Sequence, residues 1–330
     1  MRAAFYTRNG PAAEVLEVGD IETPAPGRGE VRVRLITSGV NPSDTKARAG
    51  SNRKIAFALV VPHSDGGGEI DAVGAGVDAA RVGERVWTCD AQWQRPIGTA
   101  GEFTVIPADR AVKLPDNISY EQAAAMMLKG MTAQYLLRRT FNVKKGDTIL
   151  VHAAAGGVGV ILCQWGKALG ATVIGTVGSE DKGKLAKDNG ADHIIYYRKE
   201  DFAARVKEIT GGKLCDVVYD GIGKTTFPAS LDCIRPLGMF VSFGSASGQI
   251  DAFNINILQT KGSLFATRPT LNTYAAKRED LLAIAKDLFD VVGSGKVKIP
   301  INQKYKLRDA QKAHQDLESR NTTGSTILVP

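Results

Sequence analysis

The first part of the chain alternates apolar and polar positions in short runs. Val31–Ile36 follows a period of two before it becomes wholly apolar, which is typical of a half-buried strand. Arg85–Thr88 and Glu102–Ile106 predict two more strands. Glycines and prolines separate the runs, as in Pro24–Gly29 and Asp65–Gly68. The stretch to about residue 118 therefore predicts a small β-rich domain.

From Ser119 onward, short apolar runs alternate with helical patterns. Ser119 and Gln122 fit a capping box, with Ser119 as the N-cap of a helix. Strands are predicted at 148–151, 172–176, 194–196, 217–219 and 240–243, and helices at 157–169, 179–190 and 202–209. This alternation indicates the α/β class, with a Rossmann-type, doubly wound parallel sheet. Thr326–Val329 is a candidate last strand that would return to the first domain.

A glycine-rich turn, His152–Gly159, follows the first strand of this region and opens its helix. In a dinucleotide-binding turn, Gly156 would let the backbone approach a pyrophosphate, and Gly159 would let helix and strand pack closely. The helix N-terminus adds N–H groups and a partial positive charge. Ala154 stands at the first glycine position of G-x-G-x-x-G, so the segment departs from that pattern once.

The end of the second strand favours NADPH over NADH. NAD-specific sites usually carry an acid here for the ribose 2′-OH, but Val177 occupies the position. Lys182 follows it, and Arg198 and Lys199 come after the third strand. A cation or hydroxyl holds a 2′-phosphate that a carboxylate would repel. Glu180–Asp181 opposes this interpretation unless the two acids serve the first turn of the next helix, where the helix dipole favours them.

Composition fits a soluble globular protein of roughly two domains. The chain has 330 residues, 43% of them hydrophobic and 23% charged. Its 42 basic and 35 acidic residues give a net charge of +7, which permits an anionic partner such as nucleic acid or a phosphorylated cofactor. The basic residues are spread along the chain, and no basic patch interleaved with aromatic residues supports nucleic-acid binding.

The cysteines and the N-terminal segment bear on metal binding and compartment. Cys89, Cys163, Cys215 and Cys233 form no C-x-x-C pair and have no His at ligand spacing, which argues against a structural zinc site or a disulfide framework. Met1–Arg8 lacks a long apolar segment, and no uncharged apolar run is long enough to span a bilayer. We expect reduced, mostly buried thiols, a cytoplasmic location and no membrane partner.

Together these segments resemble the zinc-free quinone oxidoreductases, the ζ-crystallin-like branch of the medium-chain dehydrogenase/reductase superfamily. The resemblance covers essentially the whole chain. It is carried by Asn41–Asp44, Leu128–Ala133, Ala153–Gly159, Val177–Ser179, Tyr219–Gly223, Ser242–Ser245 and Gly262–Pro269. It implies a Rossmann NADPH-binding domain at 123–264, with sheet order 3-2-1-4-5-6, and a GroES-like catalytic domain built from 1–122 and 265–330. It also implies a homodimer joined through the Rossmann domains, with NADPH in the cleft between the two domains.

The same resemblance implies the residues of the site. Asn41, Asp44 and Lys129 are the polar candidates for orienting the electron acceptor, although Asp44 fits a turn-capping role equally well. The residues implied for cofactor binding are Asn41, Thr132, Gly156, Gly157, Val158, Gly178, Ser179, Lys182, Tyr197, Phe243, Ser245 and Arg320.

The zinc ligands of related alcohol dehydrogenases have no match in this chain. By the resemblance, Asn41 stands where those enzymes carry a Cys, and Ser64 stands where they carry the ligand His of a G-H-E motif. His63 is one residue out of register, and a shifted loop could still present it to a metal. We expect no metal site.

One departure from the bacterial quinone reductases concerns the acceptor. Those relatives carry tyrosines shortly after the Asn-Pro-x-Asp motif, where this chain has Lys46 and Ser51–Lys54. The predicted function is NADPH-dependent, metal-free quinone reduction. A 2-alkenal or enone reductase is the alternative, because such a substrate presents similar chemistry to a hydride. A nucleotide-regulated nucleic-acid-binding or crystallin-like protein is the alternative from another class.

Overall fold

The computed structural model describes residues 1–51, 54–319 and 321–330. Within them the strands are β1 (Arg2–Phe5), β2 (Glu17–Asp20), β3 (Glu30–Val40), β4 (Asp65–Val73), β5 (Arg85–Thr88), β6 (Phe103–Pro107), β7 (Ala111–Lys113), β8 (Thr148–His152), β9 (Thr172–Val177), β10 (His193–Tyr196), β11 (Cys215–Asp220), β12 (Ile234–Ser242), β13 (Phe265–Thr267), β14 (Ile301–Lys306) and β15 (Ser325–Val329).

The helices in the same described ranges are α1 (Ala12–Val15), α2 (Pro42–Ala49), α3 (Tyr120–Tyr135), α4 (Gly157–Ala168), α5 (Glu180–Asp188), α6 (Phe202–Ile209), α7 (Asn256–Thr260), α8 (Leu271–Tyr274), α9 (Arg278–Gly293) and α10 (Ala310–Glu318). A π-helical turn, Leu136–Thr140, continues α3. No helix in the described part of the chain is long and apolar enough to cross a membrane.

Two compact units make up the chain: a β-rich unit of Met1–Leu128 with Ile299–Pro330, and an α/β unit of Lys129–Lys298. The β-rich unit is built on a mixed sheet with the order β14-β15-β3-β4-β5-β7, and β6 pairs with β3. Strand β15 runs antiparallel to β3, which confirms that the end of the chain returns to the first unit.

Strand β3 shows why this sheet forms where the sequence pattern predicts it. Val31, Val33 and Leu35 are buried in one cluster of the core. Arg32 and Arg34 alternate with them and form ion pairs with carboxylates of β4, at 2.9 and 2.6 Å. The period of two therefore gives the strand one apolar face and one charged face.

The α/β unit contains a parallel sheet with the order β10-β9-β8-β11-β12-β13. Each adjacent pair runs parallel. Counted from the first strand of the unit, this order is 3-2-1-4-5-6, and the expected α/β class with its doubly wound sheet is confirmed. The order reverses between β8 and β11, and in such sheets ligands bind outside the carboxyl ends of the strands at this point.

The predicted capping box of helix α3 is also confirmed. The Ser119 N–H donates to Gln122 Oε1 at 3.0 Å, and the Gln122 N–H donates to Ser119 Oγ at 3.1 Å. Two backbone donors at the helix start are thereby satisfied by a local exchange.

The compact units end at Leu128 and Lys298, later than the predicted boundaries at 122 and 264. Residues 265–298 group with the α/β unit because β13 continues its sheet beside β12. Helix α9 also packs closely there, since a Cβ added to Gly130 would lie 2.7 Å from the Leu288 side chain. The extent of each functional domain stays a prediction.

The four cysteines are all buried and unbridged. Burial raises the pKa of Cys163 and of Cys215 to about 12. Because the thiolate is the reactive form, these side chains act as small apolar groups of the core.

Candidate functional site

The glycine turn joins β8 to α4, and Gly156 is the N-cap of the helix. A Cβ added to Gly159 would lie 2.3 Å from the Ala153 carbonyl oxygen, so the helix packs on the turn only with glycine at 159. A Cβ added to Gly156 would meet a single described atom, the same Ala153 oxygen, at 3.2 Å. The fold therefore excludes a side chain at 159 far more strongly than at 156, and a glycine at 156 fits a ligand that approaches the turn closely.

The first turn of α4 can receive an anion. The leading N–H groups of a helix, here those of Gly157 and Val158, have no acceptor within the helix. No acidic residue lies in this first turn. The positive end of the helix dipole therefore faces no carboxylate of its own helix, an arrangement that favours a pyrophosphate.

The end of β9 gathers basic and hydroxyl groups. Gly178 and Ser179 connect β9 to α5, and Lys182 lies in the first turn of α5. A Cβ added to Gly178 would lie 2.7 Å from Tyr197 Oη and 3.4 Å from Arg198 Nε, so these three residues are in close contact. The Tyr197 side chain is 48% exposed. The structure thus places the candidates from 178 to 198 at one end of the sheet.

The charges at this strand end support an anionic ligand. Lys199 pairs with Glu180 at 2.9 Å, which offsets the charge of one of the two acids that opposed the NADPH interpretation, and both acids lie in the first turn of α5, where the helix dipole favours them. Lys182 and Arg198 form no ion pair within the described ranges. Val177, at the position of the usual acid, is buried.

His152 lies beneath the glycine turn and joins neighbouring strand ends. Its Nδ1 accepts from Thr176 Oγ1 of β9 at 2.9 Å, and its Nε2 donates to Ser230 Oγ at 3.0 Å. Ser230 Oγ in turn donates to Asp220 Oδ2, at the end of β11, at 3.2 Å. Burial lowers the pKa of His152, with the Asp220 charge opposing the shift, so the ring is neutral at neutral pH. These contacts give His152 a structural role, since it joins the ends of β8 and β9 and reaches β11 through Ser230.

Phe243 and Ser245 follow β12 at the same carboxyl edge. The Phe243 N–H donates to the Asp220 carbonyl oxygen at 2.9 Å. A Cβ added to Gly221 would lie 3.0 Å from the Phe243 ring, which places the ring over the end of β11. The candidates predicted for the edge of this sheet therefore do lie at that edge, although their roles stay predictions.

Asn41 follows β3 and is the N-cap of α2. Its backbone N–H donates to Asp44 Oδ2 at 2.8 Å, so the Asp44 carboxylate caps this helix. Its side-chain Nδ2 donates to Asp65 Oδ2, also at 2.8 Å. Asn41 and Asp65 are both fully buried. The capping role considered for Asp44 is present, and its role toward an acceptor stays a prediction.

Lys129 and Thr132 lie in the second half of α3, within the α/β unit, and both are buried. Tyr135 lies on the same helix, and its ring stacks on that of Tyr274 with centroids 4.6 Å apart. Burial raises the pKa of Tyr135 to about 12, so its hydroxyl stays protonated.

Other positions named from the sequence fall outside the described residues. They are Arg320, implied for cofactor binding, and Asn52 and Arg53 of the polar stretch after Asn41. Lys46, which precedes that stretch, is half-buried on α2.

A chain of buried hydrogen bonds in the β-rich unit was not foreseen from the sequence. Arg48 on α2 is fully buried, pairs with Glu318 and donates its Nε–H to His314 Nδ1 at 3.3 Å. Because a guanidinium only donates, Nε2 of the neutral His314 ring carries the hydrogen. It donates to His63 Nε2 at 2.8 Å. Burial, His63 and Arg48 together hold the pKa of His314 well below its ordinary range.

The series of hydrogen bonds continues from His63 to the start of β4. His63 Nε2 accepts, so its Nδ1 carries the hydrogen and donates to Ser38 Oγ at 2.9 Å. Ser38 donates to Thr99 Oγ1 at 2.8 Å, and Thr99 donates to the Asp65 carbonyl oxygen at 2.7 Å. We call this series, from Arg48 to Asp65, the Arg48–Asp65 chain. Arg48 can only donate and the Asp65 carbonyl oxygen can only accept, so each hydrogen bond between them can run in one direction only.

These contacts do not fit a zinc centre. Both ring nitrogens of His63 form hydrogen bonds within the Arg48–Asp65 chain. The Asn41 side-chain amide donates to Asp65 Oδ2. A metal would have to displace at least one of these buried partners. Among the described residues, no group of three or more His, Cys, Asp or Glu side chains could hold a metal ion.

Each of the two units contains a segment that matches a known protein family. Residues 27–116 match the alcohol dehydrogenase GroES-like domain, and residues 157–281 match the family described as zinc-binding dehydrogenase.

Similar proteins extend over the full length of the chain. A quinone oxidoreductase of Pseudomonas aeruginosa is 48% identical, with 100% of this chain and 99% of the relative covered. A 2-haloacrylate reductase of a Burkholderia species is 42% identical over 100% of this chain and 99% of its own. The crystal structure of Escherichia coli quinone oxidoreductase complexed with NADPH superposes with a TM-score of 0.94, at 42% identity and full coverage of both chains.

The buried histidines predict how stability depends on pH. His152 and His314 have pKa values below the ordinary 6.5 in the folded protein. The unfolded chain therefore binds more protons below that value, and the free energy of unfolding falls as the pH drops. For each histidine this loss is at most about 1.4 kcal/mol per pH unit below 6.5, and it continues only while the ring in the folded protein stays neutral. Urea denaturation at pH 7.5 and pH 5.5 measures the loss.

Two substitutions test whether the buried histidines cause this loss of stability at low pH. His314→Asn should reduce the loss between the two pH values by about 1.4 kcal/mol, because one titrating group is gone. His193→Asn removes an exposed ring and should leave the loss unchanged. An equal effect of both substitutions would contradict the assignment.

Proposed function

The chain belongs to the quinone oxidoreductases of the medium-chain dehydrogenase/reductase superfamily, and from this premise we propose that it uses NADPH to reduce a quinone. The observation that carries the cofactor proposal is the glycine turn between β8 and α4. Packing requires glycine at 159, whereas a Cβ at Gly156 would meet a single described atom, the Ala153 oxygen, at 3.2 Å. The relative crystallised with NADPH has 42% identity to the full chain.

We assign the two ends of the cofactor to different residues. Gly156, Gly157 and Val158 would meet the pyrophosphate, since the first turn of α4 offers its N–H groups there. The ribose 2′-phosphate would lie among the side chains and backbone at the end of β9. Those residues are Gly178, Ser179, Lys182, Tyr197 and Arg198.

The nicotinamide half and the acceptor would meet the remaining candidates, which are Asn41, Lys129, Thr132, Phe243 and Ser245. NADPH, when bound, supplies the hydride. The protein has to hold the acceptor against it and exclude water, a contribution of positioning more than of acid–base chemistry. The Lys129 ammonium is our candidate for the group that orients the acceptor oxygen as charge develops there. Asp44 is the weaker candidate, because its Oδ2 caps α2.

A conjugated acid or enone is the second candidate for the acceptor. The 2-haloacrylate reductase shares 42% identity over the whole chain, and its name implies a substrate with a conjugated double bond. The polar stretch around Lys46 lacks the tyrosines expected for a quinone platform. A quinone and an enone both accept a hydride at one end of a conjugated carbonyl system, so one site can serve either.

We also propose that the enzyme is cytoplasmic and works without metal. The free, buried thiols fit a reducing compartment. The engaged nitrogens of His63, with Asn41 and Ser64 at the expected ligand positions, argue for a metal-free site.

The proposed activity predicts NADPH oxidation with a conjugated acceptor after removal of metals. The acceptors to compare are 1,4-benzoquinone, 9,10-phenanthrenequinone, a 2-alkenal, 2-chloroacrylate and a simple aldehyde, each with NADPH and with NADH. We expect turnover with NADPH and the quinones, unchanged by a chelator. Turnover with the alkenal or chloroacrylate alone would assign the second candidate. Activity that a chelator abolishes and zinc restores would contradict the metal-free proposal.

The glycine turn gives a paired prediction. Gly156→Val should still fold, with a smaller loss of stability than Gly159→Ala because its Cβ contact is 3.2 Å, and it should weaken NADPH binding by about a hundredfold or more, because its side chain would enter the space of the pyrophosphate. Gly159→Ala should instead lower the melting temperature, since its Cβ would lie 2.3 Å from the Ala153 oxygen. Fluorescence titration and thermal unfolding measure the two effects. Unchanged NADPH affinity in Gly156→Val would refute the proposed cofactor site.

The choice of NADPH over NADH should depend on Lys182 and Arg198. Replacing either with Ala should weaken NADPH by about ten- to a hundredfold, the range of a lost charge-assisted hydrogen bond, and leave NADH unchanged. Lys184→Ala is the matched control, because Lys184 lies on the same helix and pairs with Asp188. Equal losses for NADPH and NADH would remove the 2′-phosphate assignment.

The free edge of the α/β sheet is our candidate for a homodimer contact. Strand β13 ends the strand order, and Phe265 on it is 59% exposed, as is Leu237 of β12 at 63%. An apolar, unpaired edge strand readily pairs with another chain. Sedimentation should show a dimer that Phe265→Lys dissociates, while Phe57→Lys, at an exposed aromatic residue of the β-rich unit, leaves it intact. A dimer unaffected by Phe265→Lys would place the contact elsewhere.

A further inference from the structure

Asp65 joins two segments of the candidate site in the β-rich unit. It begins β4, and its side chain is fully buried. Its Oδ2 accepts from Asn41 Nδ2 at 2.8 Å and from the backbone N–H of Leu128 at 3.1 Å. Asn41 and Leu128 open the motifs Asn41–Asp44 and Leu128–Ala133, whose residues we assign to the nicotinamide half of the cofactor and the acceptor. Asp65 itself belongs to neither motif.

The contact with Asp65 determines which way the Asn41 carboxamide faces. A carboxylate oxygen accepts hydrogen bonds, so the amide nitrogen of Asn41 must be the group turned toward it. The carbonyl oxygen Oδ1 is then turned away from Asp65. Oδ1 is buried and has no hydrogen-bond partner among the described residues. An unsatisfied buried acceptor in a well-packed protein points to a donor that the protein does not itself supply.

The chemistry of the cofactor identifies that donor. The nicotinamide half of NADPH carries donors, namely the carboxamide N–H groups and the ribose hydroxyls, whereas its phosphates only accept. A buried Oδ1 that is turned away from Asp65 and lacks a donor therefore fits the nicotinamide half. An amide turned the other way would present its donors to the cofactor and its oxygen to the Asp65 carboxylate, which would repel it.

The Arg48–Asp65 chain holds the backbone of the same residue. Thr99 donates to the Asp65 carbonyl oxygen at 2.7 Å, at the end of a series whose direction is fixed by Arg48. Close packing adds to this, because a Cβ at Gly39 would lie 2.9 Å from the Asp65 Cβ. The backbone and the side chain of Asp65 are thus held by separate contacts.

We propose that Asp65 is a positioning residue, which fixes the Asn41 carboxamide so that its Oδ1 accepts from the nicotinamide half of NADPH. The proposal rests on the proposed function, because it requires that NADPH be the cofactor. Asp65 itself acts only through Asn41.

Binding of two ligands tests the proposal. NADPH contains the nicotinamide half, and adenosine 2′,5′-bisphosphate lacks it but keeps the 2′-phosphate. Asp65→Ala should weaken NADPH by about tenfold, in line with the loss of a buried hydrogen bond to a charged group, and leave the bisphosphate affinity unchanged. Asp71→Ala is the matched control on the same strand, where Asp71 pairs with Arg32, and should change neither affinity.

Two further variants distinguish positioning from a general structural effect. Asp65→Asn should retain NADPH affinity, since its side-chain oxygen can still accept from Asn41. In an Asn41→Ala background, Asp65→Ala should cause no additional loss, because Asp65 acts only through Asn41. If Asp65→Ala does not fold, Thr99→Val should show the same selective loss at smaller size. It removes the hydrogen bond to the Asp65 backbone and the acceptor of Ser38, but neither side-chain contact of Asp65.

The outcomes separate the two proposals. If the wild-type protein binds neither NADPH nor the bisphosphate, the proposed function fails. If the wild type binds both and Asp65→Ala weakens both equally, or weakens neither, the proposed function stands and the role of Asp65 is refuted. Additive losses in the Asn41→Ala background would also refute it.

Discussion

A buried polar group needs a partner in a defined direction, and this requirement organises the β-rich unit around Asp65. Arg48 can only donate, and the carbonyl oxygen of Asp65 can only accept. Each hydroxyl and imidazole between them therefore has a single orientation. Leaving one of these groups unpaired would cost about 1–3 kcal/mol, so the whole series resists rearrangement. Because Asp65 also contacts Asn41, the contacts that stabilise the unit and those that shape the site are largely the same.

The α/β unit meets a different constraint, the close approach of a helix to the end of a strand. Gly159 permits that approach, and His152 beneath it joins the ends of β8 and β9 and reaches Asp220 on β11 through Ser230. The strand ends on both sides of the reversal in strand order are therefore held in register. An anion-binding turn is useful only on such a rigid base, since the N–H groups must point at one place.

Local patterns allowed much of this structure to be predicted. The strands and helices of the α/β unit, the capping box at Ser119 and the glycine turn each depend on neighbouring residues, and the structure has them where the sequence places them. The Arg48–Asp65 chain could not be predicted from local patterns of the sequence. His63 and His314 are 251 positions apart, and nothing local shows that their rings meet. Arg48, a residue type that is usually exposed, is fully buried where His314, Glu318 and the Gly10 carbonyl accept its hydrogen bonds.

His63 illustrates the same limit in the chemistry of the site. Its place in the sequence, one residue from a ligand position of zinc relatives, left a metal role open. Only the contacts of its two ring nitrogens, with Ser38 and His314, argue against that role. The capping contact of Asp44 could be predicted from the sequence, because its partner Asn41 is only three positions away.

We propose that the protein holds NADPH in one orientation and delivers its hydride directly to a conjugated acceptor. Single-turnover reduction of 1,4-benzoquinone with NADPH deuterated at either face of C4 tests this proposal. In metal-free protein, we expect the loss of NADPH absorbance to slow for one of the two labelled forms and not for the other. Equal rates for both forms and for unlabelled NADPH, or a requirement for added metal, would contradict it.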